Sequence, residues 1–269
     1  MPTPERSGGD GMTVLRRVLF ALALPVVLFA GWFWLSDGSE SFYSPPLRTI
    51  LKAFGDTWQP ERLRADVAPS LLRLFAGFLL AAVIGIGLGV AVGLNQRLRA
   101  VLEPVLEFFR AIPPPVLVPV IMLFAGIGDG MKVIVIVFGC VWPILLNTVE
   151  GVRATDSVVL DTARAYRVTG PARLTRVILP SASPQIAAGL RQALSIAIIL
   201  MVISEMFASS NGLGFTIVQF QRSFAIPEMW SGIILLGLLG FALSLLFRLA
   251  ERRALRWYEG LRAARRRAG

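Results

Sequence analysis

Between residues 71 and 94 the chain runs for 24 residues with one charge, Arg73. At about 1.5 Å of helical rise per residue, such a run reaches across the ~30 Å of hydrocarbon in a bilayer. Comparable stretches place six spans, at 16–35, 71–94, 113–126, 131–149, 187–208 and 230–249. The expected fold is therefore an all-α membrane protein with six transmembrane helices. The hydrophobic fraction of 55% and mean hydropathy of +0.68 fit no soluble domain of this length.

The 113–126 span is short and carries Pro113, Pro114, Pro115 and Pro119. An ideal helix is not expected there, and broken backbone survives at membrane depth only inside protein or beside a water-filled cavity. In the 71–94 span, Gly77, Gly85, Gly87, Gly89 and Gly93 recur at near-helical spacing. They predict a neighbouring helix packed at close range.

Net charge is +10, but the arginines gather in particular loops, so charge reads as topology and not as a nucleic-acid surface. With both termini inside, 20 of the 27 basic residues are cytoplasmic: three up to Arg17, three in 97–110, six in 153–191 and eight from Arg248 onward. The tail from Arg252 to Arg267 is expected against anionic membrane lipid. The apolar run after Arg16 and Arg17 competes as a signal peptide. Its length, and the lack of a small-x-small site before Ser36, favour a retained span. The chain thus divides into a cytoplasmic tail at 1–13, a first span and external loop at 14–66, a five-span core at 67–250 with a polar loop at 150–187, and a basic tail at 251–269.

The sequence has no His and a single Cys140, which excludes a disulfide framework, a Cys/His zinc site and serine–histidine catalysis. Gly-x-x-x-x-Gly-Lys-[Ser/Thr] does not occur in it, so no nucleotide-hydrolysing loop is expected in this chain.

The most informative segment is a polar island, Asp161-Thr-Ala-Arg-Ala-Tyr-Arg-Val-Thr-Gly170-Pro-Ala-Arg-Leu-Thr-Arg-Val-Ile-Leu-Pro180. One short helix is expected from 161 to 167 and a second from 172 to 179, with a turn at Thr169-Gly170-Pro171 and a close at Leu179-Pro180. Arg164, Arg167, Arg173 and Arg176 give a cationic surface over Ala163, Tyr166, Leu174, Val177 and Ile178. Such a surface suits an acidic-rimmed groove on another protein. Ala163→Asp is accordingly expected to disturb docking while folding and insertion survive.

At these residues the chain resembles the permease subunits of bacterial ABC importers, whose cytoplasmic loop reads Glu-Ala-Ala-x-x-x-Gly, nine residues, then Ile-x-Leu-Pro. Asp161-Thr162-Ala163 fills the first part and Val177-Ile178-Leu179-Pro180 the last. The family's glycine falls on Arg167, so either Gly170 makes the turn or Arg167 adopts it under strain. Further pieces carry the resemblance along the chain and narrow it to the nitrate, taurine and sulfonate branch. They are Ser70-Leu71-Leu72-Arg73, Gly77-Phe78, Glu103-Pro104, Arg110-Ala111-Ile112-Pro113-Pro114, Gly126-Ile127-Gly128-Asp129, Asn147-Thr148, Pro184, Gly189-Leu190-Arg191, Ser204-Glu205-Met206 and Gly212-Leu213-Gly214.

The resemblance implies a type I importer half in the bacterial inner membrane, acting as a transport subunit with no enzymatic activity or cofactor of its own. It implies an ATP-binding subunit holding ATP and Mg, an extracytoplasmic binding protein and a second permease copy, in a homodimer, as partners. Docking residues would be Asp161, Thr162, Ala163, Tyr166, Arg167, Gly170, Leu174, Leu179 and Pro180. Arg73, Ser204, Glu205 and Asn211 are candidates for the translocation pathway or a gate. Of these, Glu205 either pairs with Arg73 or lines a gate, and Arg73 either anchors its helix or attracts an anion.

Two other readings compete. Gly126-Ile127-Gly128-Asp129 matches an intramembrane aspartyl-protease motif, but no second Asp lies in a span to share its proton. A secondary transporter would need midplane relay carboxylates, and only an off-centre Glu205 is present. Thiamine-precursor pyrimidines and riboflavin remain alternatives to sulfonate, taurine or nitrate as the solute.

Overall fold

In a computed structural model, residue 23 and residues 26–39, 41–207 and 209–258 are described, and all regular structure among them is helical. The order is α1 (Val26–Ser36), α2 (Leu47–Thr57), α3 (Pro60–Leu94), α4 (Gln96–Ala111), α5 (Pro114–Ala125), α6 (Asp129–Arg153), α7 (Ser157–Ala165), α8 (Gly170–Phe207), α9 (Leu213–Arg222) and α10 (Ile226–Ala254). The helices α3, α6, α8 and α10 are each long and apolar enough to cross a membrane. The expected spans at 71–94, 131–149, 187–208 and 230–249 lie within them. Of the expected 16–35 span, residues 26–35 lie in α1, while residues 16–22, 24 and 25 lie outside the described residues, as do the N-terminal tail and residues 259–269.

The centre of the bundle is a close pair, α3 and α6, running in parallel. A Cβ on Gly77, Gly85, Gly89 or Gly93 would stand 2.6, 2.9, 2.6 or 2.9 Å from Ile136, Ile144, Thr148 or Val152 respectively. The two helices therefore keep one register over four turns, which only small residues allow. Gly87 points away from this seam and has nothing within 4 Å, so it stands apart from the other four. Gly89→Leu is expected to abolish accumulation of folded protein, whereas Gly87→Leu accumulates normally. Equal yields of the two in solubilised membranes would refute the seam.

On its other face α6 meets α8, which runs antiparallel to it: Gly139 faces Leu200, and Gly151 faces Ala182. The buried core lies between these three helices, with Leu74, Ala81, Val135, Ile136, Cys140, Ala193, Ala197 and Leu200 at its heart. Outside it, α10 is the least buried span and presents Leu238, Phe241 and Leu246 outward. It is held near its start by α2, where Trp58 Nε1 donates to Ser231 Oγ at 3.0 Å.

The expected 113–126 span is a broken element. Following α4, the chain turns by 83° at Ile112-Pro113 and continues as α5, which opens with a tight 3-10 turn at Pro114–Leu117. The proline-preceding residues Ile112 and Pro113 are extended, as the proline ring requires.

Prolines inside α3 and α8 are met differently. Ahead of Pro69 the N–H of Ala68 reaches back five residues to Leu63, and ahead of Pro180 the N–H of Leu179 reaches back five to Leu174. Each widened turn carries the chain past a residue that has no N–H and whose ring crowds the preceding turn. Downstream, Pro184 leaves the Pro180 carbonyl without its helical donor, and Ser183 Oγ donates to that carbonyl at 2.8 Å. The second island helix is therefore not separate, and Pro180 does not close it: α8 continues unbroken from Gly170 through Phe207.

Candidate functional site

Two groups of residues stand out, one at each end of the bundle. At the first end, the first half of α3, the start of α6 and the end of α8 bring four charges together. Glu205 is fully buried and Arg73 nearly so. Arg73 Nη1 donates to Glu205 Oε1 at 2.7 Å, Nε to Asp129 Oδ1 at 2.8 Å and Nη2 to Asn211 Oδ1 at 2.5 Å. Lys132, also buried, lies 3.4 Å from Asp129 Oδ1 and donates to Ser209 Oγ at 2.8 Å.

Glu205 is further held by the start of α9. The Gly214 N–H donates to Oε2 at 3.0 Å, and Ser70 Oγ lies 2.8 and 2.9 Å from the two carboxylate oxygens while accepting the Leu213 N–H at 2.9 Å. A carboxylate at a helix N-terminus meets both free N–H groups and the positive end of the helix dipole. This explains the two glycines. A Cβ on Gly212, whose φ is +115°, would sit 2.5 Å from the Glu205 carboxylate, and one on Gly214 would sit 2.5 Å from the Val202 carbonyl.

Of the residues named from sequence at this end, Arg73, Glu205 and Asn211 meet. Ser204 does not join them. It is fully buried, its hydroxyl donates to the Met201 carbonyl at 2.9 Å, and one residue of helical rotation turns it from Glu205 into the bundle core. Asp129, by contrast, keeps its side chain 70% exposed while touching both buried cations. Among the described residues Asp129 pairs with the cations Arg73 and Lys132, and Glu205 is joined to it only through Arg73, so the two carboxylates form no proton-sharing pair.

At the other end stands α7. Asp156 caps it, its carboxylate accepting the Val158 N–H at 2.8 Å. The helix ends with the N–H of Val168 on the Ala163 carbonyl at 2.8 Å and that of Arg167 on the Arg164 carbonyl at 2.9 Å. These two bonds define a Schellman ending, which puts its fifth-position residue in the left-handed region. That residue is Arg167, at φ +55°, and Gly170 follows at φ +56°. Both alternatives for the turn are therefore realised. A non-glycine residue pays about 1–2 kcal/mol for this conformation, and glycine loses about 0.5–1 kcal/mol in unfolded-chain entropy. Arg167→Gly is expected to slow amide exchange across residues 163–168 by about two- to five-fold; unchanged or faster exchange would contradict it.

The island presents other residues than the sequence suggested. Ala163 is only 6% exposed and points into the island, so it offers no docking contact of its own. Leu174 and Leu179 pack inward against a cluster formed by Val152, Ile178, Ala182 and Ile186. Outward stand Tyr166 at 80% exposure, Val158 at 69% and Val159. Asp161 is exposed and paired with Arg164 at 2.8 Å, and Thr162 donates to the Val158 carbonyl at 2.7 Å. Arg167, Gly170 and Arg176 are exposed, while Pro180 is half-buried within α8.

Sequence reasoning missed Ser70, Asp129 and Lys132 as members of the charge group, and Val158 and Val159 on the island. Lys132 gave a signal: one of only two lysines, it is the second residue of the expected 131–149 span. Ser70 gave none.

Comparison with known proteins returns the following. A family described as "Binding-protein-dependent transport system inner membrane component" matches residues 71–256. A Bacillus subtilis (strain 168) protein named for aliphatic sulfonates transport is 31% identical over 89% of this chain and 88% of its own length. The taurine transport system permease protein of Escherichia coli (strain K12) is 28% identical over 90% of this chain and 91% of its own. Among solved structures, an inward-facing methionine ABC transporter superposes with a TM-score of 0.61 at 20% identity, covering 72% of this chain and 94% of that one. This last likeness is one of fold.

Proposed function

The chain belongs to the binding-protein-dependent transport inner membrane components, the permeases of ABC importers, and from that premise we propose that it carries a small organic sulfonate across the membrane. The full-length similarity to proteins named for aliphatic sulfonates and for taurine supports that solute class. Nitrate is the second solute in this reading.

The island at α7 receives the ATP-binding subunit, in which ATP and Mg are held and hydrolysed. The observation that carries this is the face formed by Val158, Val159 and Tyr166, apolar residues exposed beside Arg164 and Arg167 on a helix fixed by caps at both ends. Exposed aromatic anchors with arginine neighbours are the composition of protein interfaces. The chain contributes no nucleotide site: its sequence lacks the phosphate-cradling loop. Two copies frame the pathway, an extracytoplasmic binding protein delivers the solute at the Glu205 end, both termini face the cytoplasm, and lipid covers the outward leucines of α10.

Within this reading the charge group is structural, a pin at the external end. Glu205 is fully buried, with its carboxylate tied to Arg73, Ser70 and the α9 N-terminus, which keeps it from a passing solute.

Reconstitution with the ATP-binding subunit and binding protein in liposomes tests the reading. ATP-dependent uptake of ethanesulfonate or taurine is expected, with uptake absent when ATP is omitted. Uptake that proceeds without ATP, or ATP-driven uptake of neither sulfonates nor nitrate, overturns it.

A further inference from the structure

At half-height in the bundle, where α4 breaks into α5, four aromatic rings gather. Phe109 stacks on Trp142 with centroids 5.9 Å apart and planes within 4°. Phe138 meets both edge-on, at 5.5 Å from Trp142 and 6.4 Å from Phe109, and Phe108 lies against Phe109 at 5.4 Å. The level is set by Pro114, which approaches Gly139 near the middle of α6.

Two features here are unexplained by packing. First, the indole Nε1 of Trp142 is buried and has no hydrogen-bond partner. Tryptophan favours the membrane–water boundary, and a buried indole N–H normally finds an acceptor. Second, the non-helical backbone at Ile112-Pro113 leaves Pro113 exposed at this depth, together with Ala111 and Val116. Irregular backbone in the hydrocarbon layer has to face protein or a water-filled cavity and not lipid. In carrier proteins of other folds, solute sites lie at this depth beside broken helices.

We propose that this aromatic group is the solute site of the pathway, with the Trp142 N–H donating to an oxyanion oxygen and the Phe138 and Phe109 rings enclosing the carbon part of an organic sulfonate. In the present conformation the Trp142 Nε1 is buried and Phe109 lies over the face of its ring, so the site is shut, and it opens when the end of α4 moves and frees the indole edge with Phe109 still beside the solute. An indole offers one donor and no acceptor, which matches a group of acceptors only. The rings give an organic body a surface and give nitrate none, so the site discriminates for the organic solute. This inference rests on the sulfonate reading above and adds the residues that meet the solute.

The test uses the whole importer in liposomes. Trp142→Phe preserves the ring stack and removes the donor, and is expected to lower ATP-driven ethanesulfonate uptake about ten-fold or more, the scale of a lost bond to a charged acceptor. In a Cys140→Ala background, the thiol of Phe109→Cys is expected to react with a charged, water-borne thiosulfonate reagent. Saturating ethanesulfonate with binding protein should slow that reaction, and nitrate should not. Wild-type uptake by Trp142→Phe overturns the proposal. So does reaction of the Phe109→Cys thiol only with membrane-permeant reagents, which would place the ring in lipid, or its cross-linking between two copies with uptake retained, which would place it in their interface. Because wild-type uptake is measured in the same liposomes, these failures leave the importer reading standing.

Discussion

Glu205→Leu is expected to destabilise the bundle by about 3–5 kcal/mol, because the change leaves Arg73 buried beside Lys132 and strips the α9 N-terminus of its acceptor. The check is the apparent unfolding midpoint of the purified permease in detergent, with Glu205→Gln as an intermediate case that keeps an acceptor for the Gly214 N–H. A midpoint equal to wild type for Glu205→Leu would mean that the pin contributes nothing. Exchanging the two charges, Arg73→Glu with Glu205→Arg, is expected to recover little. An arginine at 205 would point its cation at helix N–H groups, and a carboxylate at 73 would face Asp129. Its surroundings make the pair one-directional.

The second large effect is on assembly. Tyr166→Asp is expected to weaken capture of the ATP-binding subunit by about 100-fold, the cost of losing an aromatic anchor and placing a charge in a desolvated contact. The permease itself should fold as before, since this side chain is 80% exposed. Ala163→Asp behaves differently. It puts a carboxylate inside the island, so protease sensitivity around α7 is expected to rise along with the loss of capture. Wild-type capture and uptake by Tyr166→Asp would remove the island from the interface.

What could be read from the sequence follows from range. The long apolar runs fixed four spans because hydrocarbon leaves the backbone no alternative to helix. The glycines of α3 announced a close neighbour but not its identity, and Gly87, at the same near-helical spacing, faces elsewhere. Between 96 and 125 the prolines announce the break that is found, but three consecutive prolines show where a helix breaks and not the 83° at which it resumes. On the island, Arg164 and Arg167 stand outward as expected, and Tyr166, expected beneath them, stands outward too. Ala163 lies beneath the arginines but against its own fold, because an alanine carries no sign of whether a partner or the same chain covers it. Asp129 was read within a motif at a loop, and only the fold brings it to Arg73, 56 residues earlier.

The continuity of α8 has a mechanical consequence. The island's second half and Glu205 belong to one helix, Gly170–Phe207, of 38 residues, which at about 1.5 Å each is a rod of ~57 Å. A rod transmits thrust and torque end to end, with compliance only where its winding is slack. Here that place is the five-residue wide turn at Leu174–Ile178, one turn inside the island end. Beyond it, the helix to Glu205 lacks one ladder bond at Pro184, bridged there by Ser183, and is clasped by α6 along its flank and bolted at its tip through Arg73 and Gly214. Displacement of the island by a partner is thus divided between unwinding at Leu174–Ile178 and strain on the far bolt, some 27 to 31 residues up the same shaft.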